Sequence, residues 1–289
     1  MDTDDPLRAS LDRPLLEPFR KVRVTRVGRG GPDGVADDLA AAEEPLEVRL
    51  HGRPFAVIMR TPGRDRELAA GFLLSEGIIG GPSDVGAVEQ CRHPEHPDVH
   101  NVVDVYLLGD AAARLDAILE QRRNVTTTSS CGICGRVTIE SLRRHADPVP
   151  AGGVMPRELF TALPFGLRER QAVFDETGGL HGAALFTLTG EFVVAAEDVG
   201  RHNAVDKVIG AMLLADRLPL GTYALVVSGR TSFEIVQKAW AAGVPIVCAV
   251  SAPSSLAIAL AEEAGITLGG FVRDSGFNLY SHPERISGV

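Results

Sequence analysis

Residues 223–264 read YALVVSGRTSFEIVQKAWAAGVPIVCAVSAPSSLAIALAEEA, and this stretch decides the fold. It divides twice into the same three parts. Tyr223–Val227 is an apolar run, Ser228–Ser232 a short polar turn, and Phe233–Ala242 carries apolar residues at helical spacing. Val244–Val250, Ser251–Ser254 and Ser255–Ala264 repeat the pattern. Strands without polar alternation are buried on both faces, so the two runs predict parallel neighbours. Right-handed crossovers then place both polar turns on one edge of the sheet, at the carboxyl ends of the strands, where ligands bind in sheets of this kind. Each turn runs into a helix N-terminus and offers free backbone N–H groups, small side chains and hydroxyls, a physical recipe for holding phosphates. Ser228, Gly229 and Arg230 are the candidate residues of the first turn, with Arg230 as a charged fork. The plain alternative is that serine and glycine stand there only to turn the chain.

Outward from this stretch the pattern continues. Upstream, Thr177–Gly182 is a glycine-rich turn, and Ala183–Leu188 with Phe192–Glu197 predicts a hairpin across Thr189-Gly190. Asp198–Asn203, DVGRHN, reads as a polar loop, followed by a helix over Ala204–Asp216. His181, Asp198, Arg201 and His202 form a polar group that is either part of a site or loop scaffolding built from Asp–Arg and Asp–His bonds. Downstream, Gly269–Tyr280 predicts a last strand with a loop. Pro148–Met155 is a Pro/Gly linker, and Pro156–Ala172 predicts a helix broken at Pro164-Phe165-Gly166. Trp240 is expected in the core.

The N-terminal part is a small mixed unit. Residues 1–20 are expected as a loose tail, Val22–Val27 as a strand and Gly28–Glu44 as a long loop. Leu46–Leu50 and Phe55–Arg60 predict strands joined through His51-Gly52-Arg53. Asp65 is placed as the N-cap of a helix over Arg66–Glu76 that ends at Gly77. Val99–Leu108 predicts a strand and Ala111–Gln121 a helix. Cys91, His93, His96 and His100 lie close in sequence, but their spacing matches no common zinc pattern. The expected organisation is a tail over 1–20, an N-terminal mixed α/β domain over 21–125, a thiol loop with a helix over 126–147, and a sheet domain over 148–289.

The chemistry centres on Thr126–Arg136, TTTSSCGICGR. Five small hydroxyl residues precede Cys131 and Cys134, and Gly132 and Gly135 accompany the pair. Threonine and serine compete with regular structure and glycine removes backbone restraint, so the stretch predicts a mobile, exposed loop carrying thiols. A helix over Val137–Arg144, with Arg136 before it, would lower a nearby thiol pKa. Four readings arise. A four-cysteine zinc site would need Cys91 and Cys248, which are isolated, and Cys248 lies in a buried strand. A thioredoxin-type pair needs a preceding strand, and TTTSS supplies none. A zinc deaminase needs H-x-E before P-C-x-x-C, whereas His181 is followed by Gly182 and Ala183 and comes after the thiols. A persulfide relay needs a low-pKa exposed thiol with reach, which the loop supplies.

Composition narrows the classes. The chain has 289 residues, 45% hydrophobic and 23% charged, enough for an ordinary globular core. A net charge of -9 argues against a general nucleic-acid binder. The acidic start has no apolar signal region and no run is long enough to span a bilayer, so the expected location is cytoplasmic, with no membrane partner. Thiols stay reduced there, which favours a catalytic or metal-binding role for C-x-x-C over a structural disulfide.

The blocks SSCGICGR, TGGLHGAALF, EDVGRHNAVDKVIG, SGRTSFEIVQKAW, AVSAPSSLAI and GFVRDSGFNLY, in this order, resemble the FdhD family of sulfur-carrier accessory proteins for formate dehydrogenase. The likeness covers roughly residues 45–289 and not the first forty or so. It implies a sulfurtransferase-type relay: a cysteine desulfurase passes sulfur to Cys131, held as a persulfide, with Cys134 assisting or resolving. The cargo implied is the molybdenum cofactor, bis(molybdopterin guanine dinucleotide), sulfurated before it enters formate dehydrogenase, with no permanently bound metal. The resemblance assigns Phe271, Val272, Arg273, Asp274, Ser275 and Gly276 to the cofactor-binding stretch; family members often carry a basic residue or glycine where Asp274 and Ser275 stand. It also implies a C-terminal domain similar to cytidine deaminases, a three-layer sheet domain, and a homodimer. The alternative class is a zinc- or nucleotide-binding regulatory module without sulfur transfer.

Overall fold

The computed structural model describes residues 17–28, 33–91, 100–123, 147–150 and 152–289. The expected thiol loop with Cys131 and Cys134, the helix over Val137–Arg144, residues 1–16 of the tail, and His93 and His96 lie outside the described residues.

The chain is mixed α/β. Its elements run β1 (Phe19–Arg26), β2 (Gly34–Ala41), β3 (Glu44–Leu50), β4 (Arg53–Arg60), α1 (Asp65–Glu76), β5 (Val85–Cys91), β6 (Val102–Leu107), α2 (Gly109–Ala113) and α3 (Leu115–Arg123). They continue with β7 (Met155–Pro156), α4 (Arg157–Arg168), α5 (Ala172–Thr177), β8 (His181–Thr187), β9 (Phe192–Asp198), α6 (Arg201–Leu214), β10 (Tyr223–Val227) and α7 (Phe233–Ala241). The last are β11 (Ile246–Ala249), α8 (Ser255–Ala264), β12 (Thr267–Arg273), β13 (Gly276–Ser281) and β14 (Ile286–Ser287).

The largest sheet has six strands in the order β13-β12-β11-β10-β8-β9. The apolar runs form its centre, with β10 parallel to β11 and β11 parallel to β12, as their lack of alternation predicts. Side chains alternate between its faces. Ala183, Leu185, Leu225, Val227, Val247 and Ala249 join one core, shared with helices α6, α7 and α8. Ala184, Phe186, Ala224, Val226, Ile246 and Cys248 join a second core, against α4 through Phe160, Leu163 and Leu167. The sheet is therefore the middle of three layers.

A second sheet, ordered β4-β3-β6-β5, lies in the N-terminal part. Its inward residues Leu46, Val48, Leu50, Val103 and Val105 belong to the same core as Leu68 and Leu73 of α1 and Val205, Val208 and Ile209 of α6. Helices α1 and α6 cross backbone to backbone. A Cβ on Gly71 would lie 2.0 Å from the Asp206 carbonyl oxygen, and one on Gly210 would lie 1.8 Å from that of Glu67. Only glycine fits at either position.

Several local expectations are corrected. Part of the Gly28–Glu44 loop is strand β2, paired antiparallel with β1, with Arg23 opposite Asp37; cross-strand pairing, not burial, organises this ribbon. Asp65 is not a cap but the first helical residue, and its carboxylate takes two hydrogen bonds from buried Arg60, at 2.9 Å each. The cap position is Arg64, in the left-handed region at φ 54°. Strand β5 is a further element, unannounced by the sequence pattern. The predicted Ala111–Gln121 helix is two short helices meeting at Arg114. Helix α4 runs unbroken through Pro164. A proline inside a helix costs about 3 kcal/mol, and burial of Phe160, Leu163 and Leu167 at roughly 1.5–3 kcal/mol each outweighs it. The final strand with a loop is a hairpin of two strands, β12 and β13. Trp240 is buried as expected, and its Nε1 donates to the Asp147 carbonyl at 3.0 Å. Among the described residues no helix is long and apolar enough to cross a membrane.

Candidate functional site

The sheet brings most of the candidate residues to one rim. Parallel strands β10, β11 and β12 end there. The antiparallel partner β8 begins there, with His181 opposite Asp198 at the end of β9. The polar turns after β10 and β11 lie on one edge as predicted, and they are also linked to each other. The Thr231 amide donates to the Ala252 carbonyl at 3.2 Å, and the Ser254 amide to the Thr231 carbonyl at 2.9 Å. Ser228 ties its turn to β8: its Oγ accepts from the Gly182 amide at 2.8 Å, and its own amide donates to the Gly182 carbonyl at 3.0 Å. Gly229 faces His181, because a Cβ there would sit 3.3 Å from His181 Nδ1. Arg230 is exposed.

The 271–276 stretch divides. Phe271 lies at the rim, at φ 54° and 44% exposed, with its amide donating to the Ser251 carbonyl at 3.3 Å. Gly270 makes this approach possible, since a Cβ would lie 3.0 Å from Pro253 Cδ. Val272 is buried in the second core, so its side chain holds the strand. Arg273, Asp274 and Ser275 are exposed at the tip of the β12–β13 hairpin, beyond the last residue of β12 that pairs with β11, and Gly276 opposes Arg273.

The DVGRHN segment is not a loop throughout. Asp198 ends β9 and α6 starts at Arg201, three residues before the expected Ala204. Asp198 is fully buried and fully used: its carboxylate lies 2.7 Å from Lys207 Nζ and accepts from the Gly200 amide at 2.8 Å, the Asn203 side-chain amide at 2.9 Å and the Thr61 amide at 3.1 Å. It is scaffolding, and it anchors the N-terminal part to the rim. Sequence spacing does not reveal this cluster, because Thr61 lies 137 positions from Asp198, and Lys207 and Asn203 also reach across the chain to the Thr61 and Met59 carbonyls.

His202 Nε2 lies 3.1 Å from Ser232 Oγ and 3.8 Å from Glu234 Oε2. Burial, then Lys238, Arg201 and His181, lower its pKa to about 4 against the pull of Glu234, so the ring is neutral. Burial and the neighbouring Arg201 also lower His181. Ser232 occupies the cap position of α7 without capping it. Behind this layer Lys238 reaches both oxygens of buried Asp206 at 2.7 Å, and Asp206 also accepts from Ser75 Oγ at 2.8 Å.

Cys248 is fully buried, and burial raises its thiol well above the ordinary range, consistent with an apolar filler. Cys91 is partly buried on β5, raised by burial and by Asp104. Among the described residues no group of three or more His, Cys, Asp or Glu side chains is arranged to hold a metal ion.

Residues 41–287 match the FdhD/NarQ family. The chain is 49% identical over 271 residues to the sulfur carrier protein FdhD of Streptomyces avermitilis, covering 92% of this chain and 94% of that one. It is also 49% identical over 259 residues to the sulfur carrier protein FdhD of Anaeromyxobacter dehalogenans, covering 88% and 90%. A crystal structure from Desulfotalea psychrophila, of a protein assigned as a formate dehydrogenase accessory protein, superposes with a TM-score of 0.71 at 26% identity, over 94% of this chain and all of that one.

Proposed function

The chain belongs to the FdhD/NarQ family, and from that premise we propose that it is a sulfur carrier serving formate dehydrogenase. Cys131 takes sulfur from a cysteine desulfurase and passes it to the molybdenum cofactor, bis(molybdopterin guanine dinucleotide), which is cargo and not a resident group. In the first step the Cys131 thiolate attacks the outer sulfur of the desulfurase persulfide. The donor S–S bond breaks, the desulfurase leaves as a thiolate, and Cys131 carries –S–SH. In the second step the Cys134 thiolate attacks the inner sulfur of Cys131. Hydrosulfide departs with the bonding pair toward molybdenum, and a thiol reductant later reopens the Cys131–Cys134 disulfide.

The observation that carries this reading is the family match in a chain whose other thiols are unsuited to the work. Of its four cysteines, Cys248 is buried in β11 and Cys91 sits on the N-terminal sheet, which leaves the C-x-x-C pair. The rim supports the cargo assignment. Ser228, Gly229 and Arg230 lie beside the turn after β11, Phe271 and Gly276 flank an exposed Arg273, and helix starts supply N–H groups. Asp274 works against phosphate there, and Val272 serves through its backbone. The same reading takes the protein as a cytoplasmic homodimer whose sheet domain is related in fold to cytidine deaminases; the three layers about the mixed sheet favour the latter.

The test is genetic and biochemical. Cys131→Ala should keep the circular dichroism spectrum and thermal midpoint of the wild type and leave formate dehydrogenase inactive in cells that depend on this carrier. Full dehydrogenase activity with that variant would overturn the assignment.

A further inference from the structure

The turn 228–232 lies against the first turn of α6 at both of its ends. At one end, a Cβ on Gly229 would fall 3.3 Å from His181 Nδ1 and 3.8 Å from Arg201 Cδ. At the other, Ser232 Oγ meets His202 Nε2 at 3.1 Å. Two polar groups on these segments lack partners. Arg201 Nε is buried with no hydrogen bond, and so is the Oγ1 of Thr231, a residue 1% exposed. Buried donors and hydroxyls are normally satisfied, and an orphan at the edge of a site calls for an explanation.

The charges around Arg201 give one. Asp198 is taken by Lys207 at 2.7 Å, and Glu234 faces His202 at 3.8 Å. Among the described residues no carboxylate lies within ion-pair distance of Arg201. A half-buried guanidinium without a counter-charge, beside a glycine that leaves room, is a receptor for an anion from outside. His181 and His202 are both held neutral, so they add hydrogen-bonding capacity without placing further cations beside Arg201.

We propose that Arg201, with the His181 imidazole beside it, forms the subsite for the phosphate portion of a guanine nucleotide cargo. This rests on the cargo reading above and assigns the charged contact to a residue inside the rim, in addition to exposed Arg230. It also gives Gly229 a purpose: any side chain there narrows the space between His181 and Arg201.

Calorimetric titration of the full chain with GDP and with guanosine tests the assignment. Arg201→Ala should weaken GDP roughly 10- to 100-fold, the loss of a charge-assisted contact, and leave guanosine unchanged. Arg201→Lys should fall between, because an ammonium cannot reproduce the fork, and it stands in for the alanine variant should that one fail to fold. Equal GDP affinity in wild type and Arg201→Ala overturns the subsite and leaves the cargo reading standing. Equal losses for GDP and guanosine also overturn it. A wild-type protein that binds no GDP overturns the cargo reading and the subsite with it.

Discussion

Lys207 Nζ sits 2.7 Å from Asp198 Oδ2, and the two side chains are 3% and 0% exposed. The lysine also donates to the Thr61 carbonyl at 2.9 Å and the Glu197 carbonyl at 3.2 Å, so one buried cation joins β9, α6 and the segment after β4. Removing the cation leaves Asp198 charged and sealed from water. Lys207→Met should lower unfolding stability by about 3–5 kcal/mol, and adding Asp198→Asn should restore part of it. Urea denaturation of the wild type and the two variants measures this. An unchanged midpoint for Lys207→Met would show that the pair does not hold the rim.

The crossing of α1 and α6 makes a steric prediction. A methyl on Gly210 would lie 1.8 Å from the Glu67 carbonyl oxygen and 2.8 Å from the Gly71 amide nitrogen, both backbone atoms with no rotamer to yield. Gly210→Ala should cost about 1–3 kcal/mol or more. Gly221→Ala, where a Cβ meets nothing within 4 Å, should stay within about 0.5 kcal/mol of wild type. Thermal midpoints of the two variants should therefore separate clearly, and similar midpoints would contradict the close crossing.

How much of this was legible in the sequence follows from the range of the forces involved. The 223–264 stretch is legible almost to the residue, because burial on both faces and glycine, serine and proline punctuation are local signals. Strand β2 is not, because Gly34–Ala41 carries acids and alanines and is held by its pairing with β1. Pro164 reads as a breaker, since its local cost is visible in sequence while the sheet that holds α4 is not. At the rim, the turns after β10 and β11 were placed correctly. The scaffold role of Asp198 is not legible, because Thr61, the partner that ties it to the N-terminal part, lies 137 positions away. Arg201 stood out only by residue type. What marks it is the missing partner, which spacing cannot reveal.

The C-terminal segment carries a pH-dependent clip. His282 Nε2 faces the Glu262 carbonyl at 2.9 Å and Nδ1 faces Glu284 Oε1 at 3.1 Å, so both ring nitrogens face acceptors. The Glu262 carbonyl first, and Glu284 beside it, raise the imidazole pKa above its ordinary value. A raised folded-state value stabilises the fold fully below the unfolded value of about 6.5. That contribution is lost as pH rises through the folded value. The stability difference between wild type and His282→Gln should be largest in mild acid and shrink toward alkaline pH. A difference that grows with pH would contradict the doubly hydrogen-bonded imidazolium.

Cys248 should be chemically silent. It is fully buried in β11, and burial holds its thiol in the neutral form. Native protein treated with iodoacetamide near neutral pH should show no label on Cys248, while urea-unfolded protein should label it fully. Labelling of Cys248 at native pH would mean that β11 opens readily.

A sulfur atom travelling on Cys131 adds a weighable mass to one peptide. Mass spectrometry of the protein after incubation with a cysteine desulfurase and cysteine tests it most directly. A gain of one sulfur atom is expected on the peptide containing Cys131, removed by a thiol reductant, retained in Cys134→Ala and absent in Cys131→Ala. An unmodified Cys131 under conditions in which the desulfurase consumes cysteine, or an equal gain in Cys131→Ala, would contradict it.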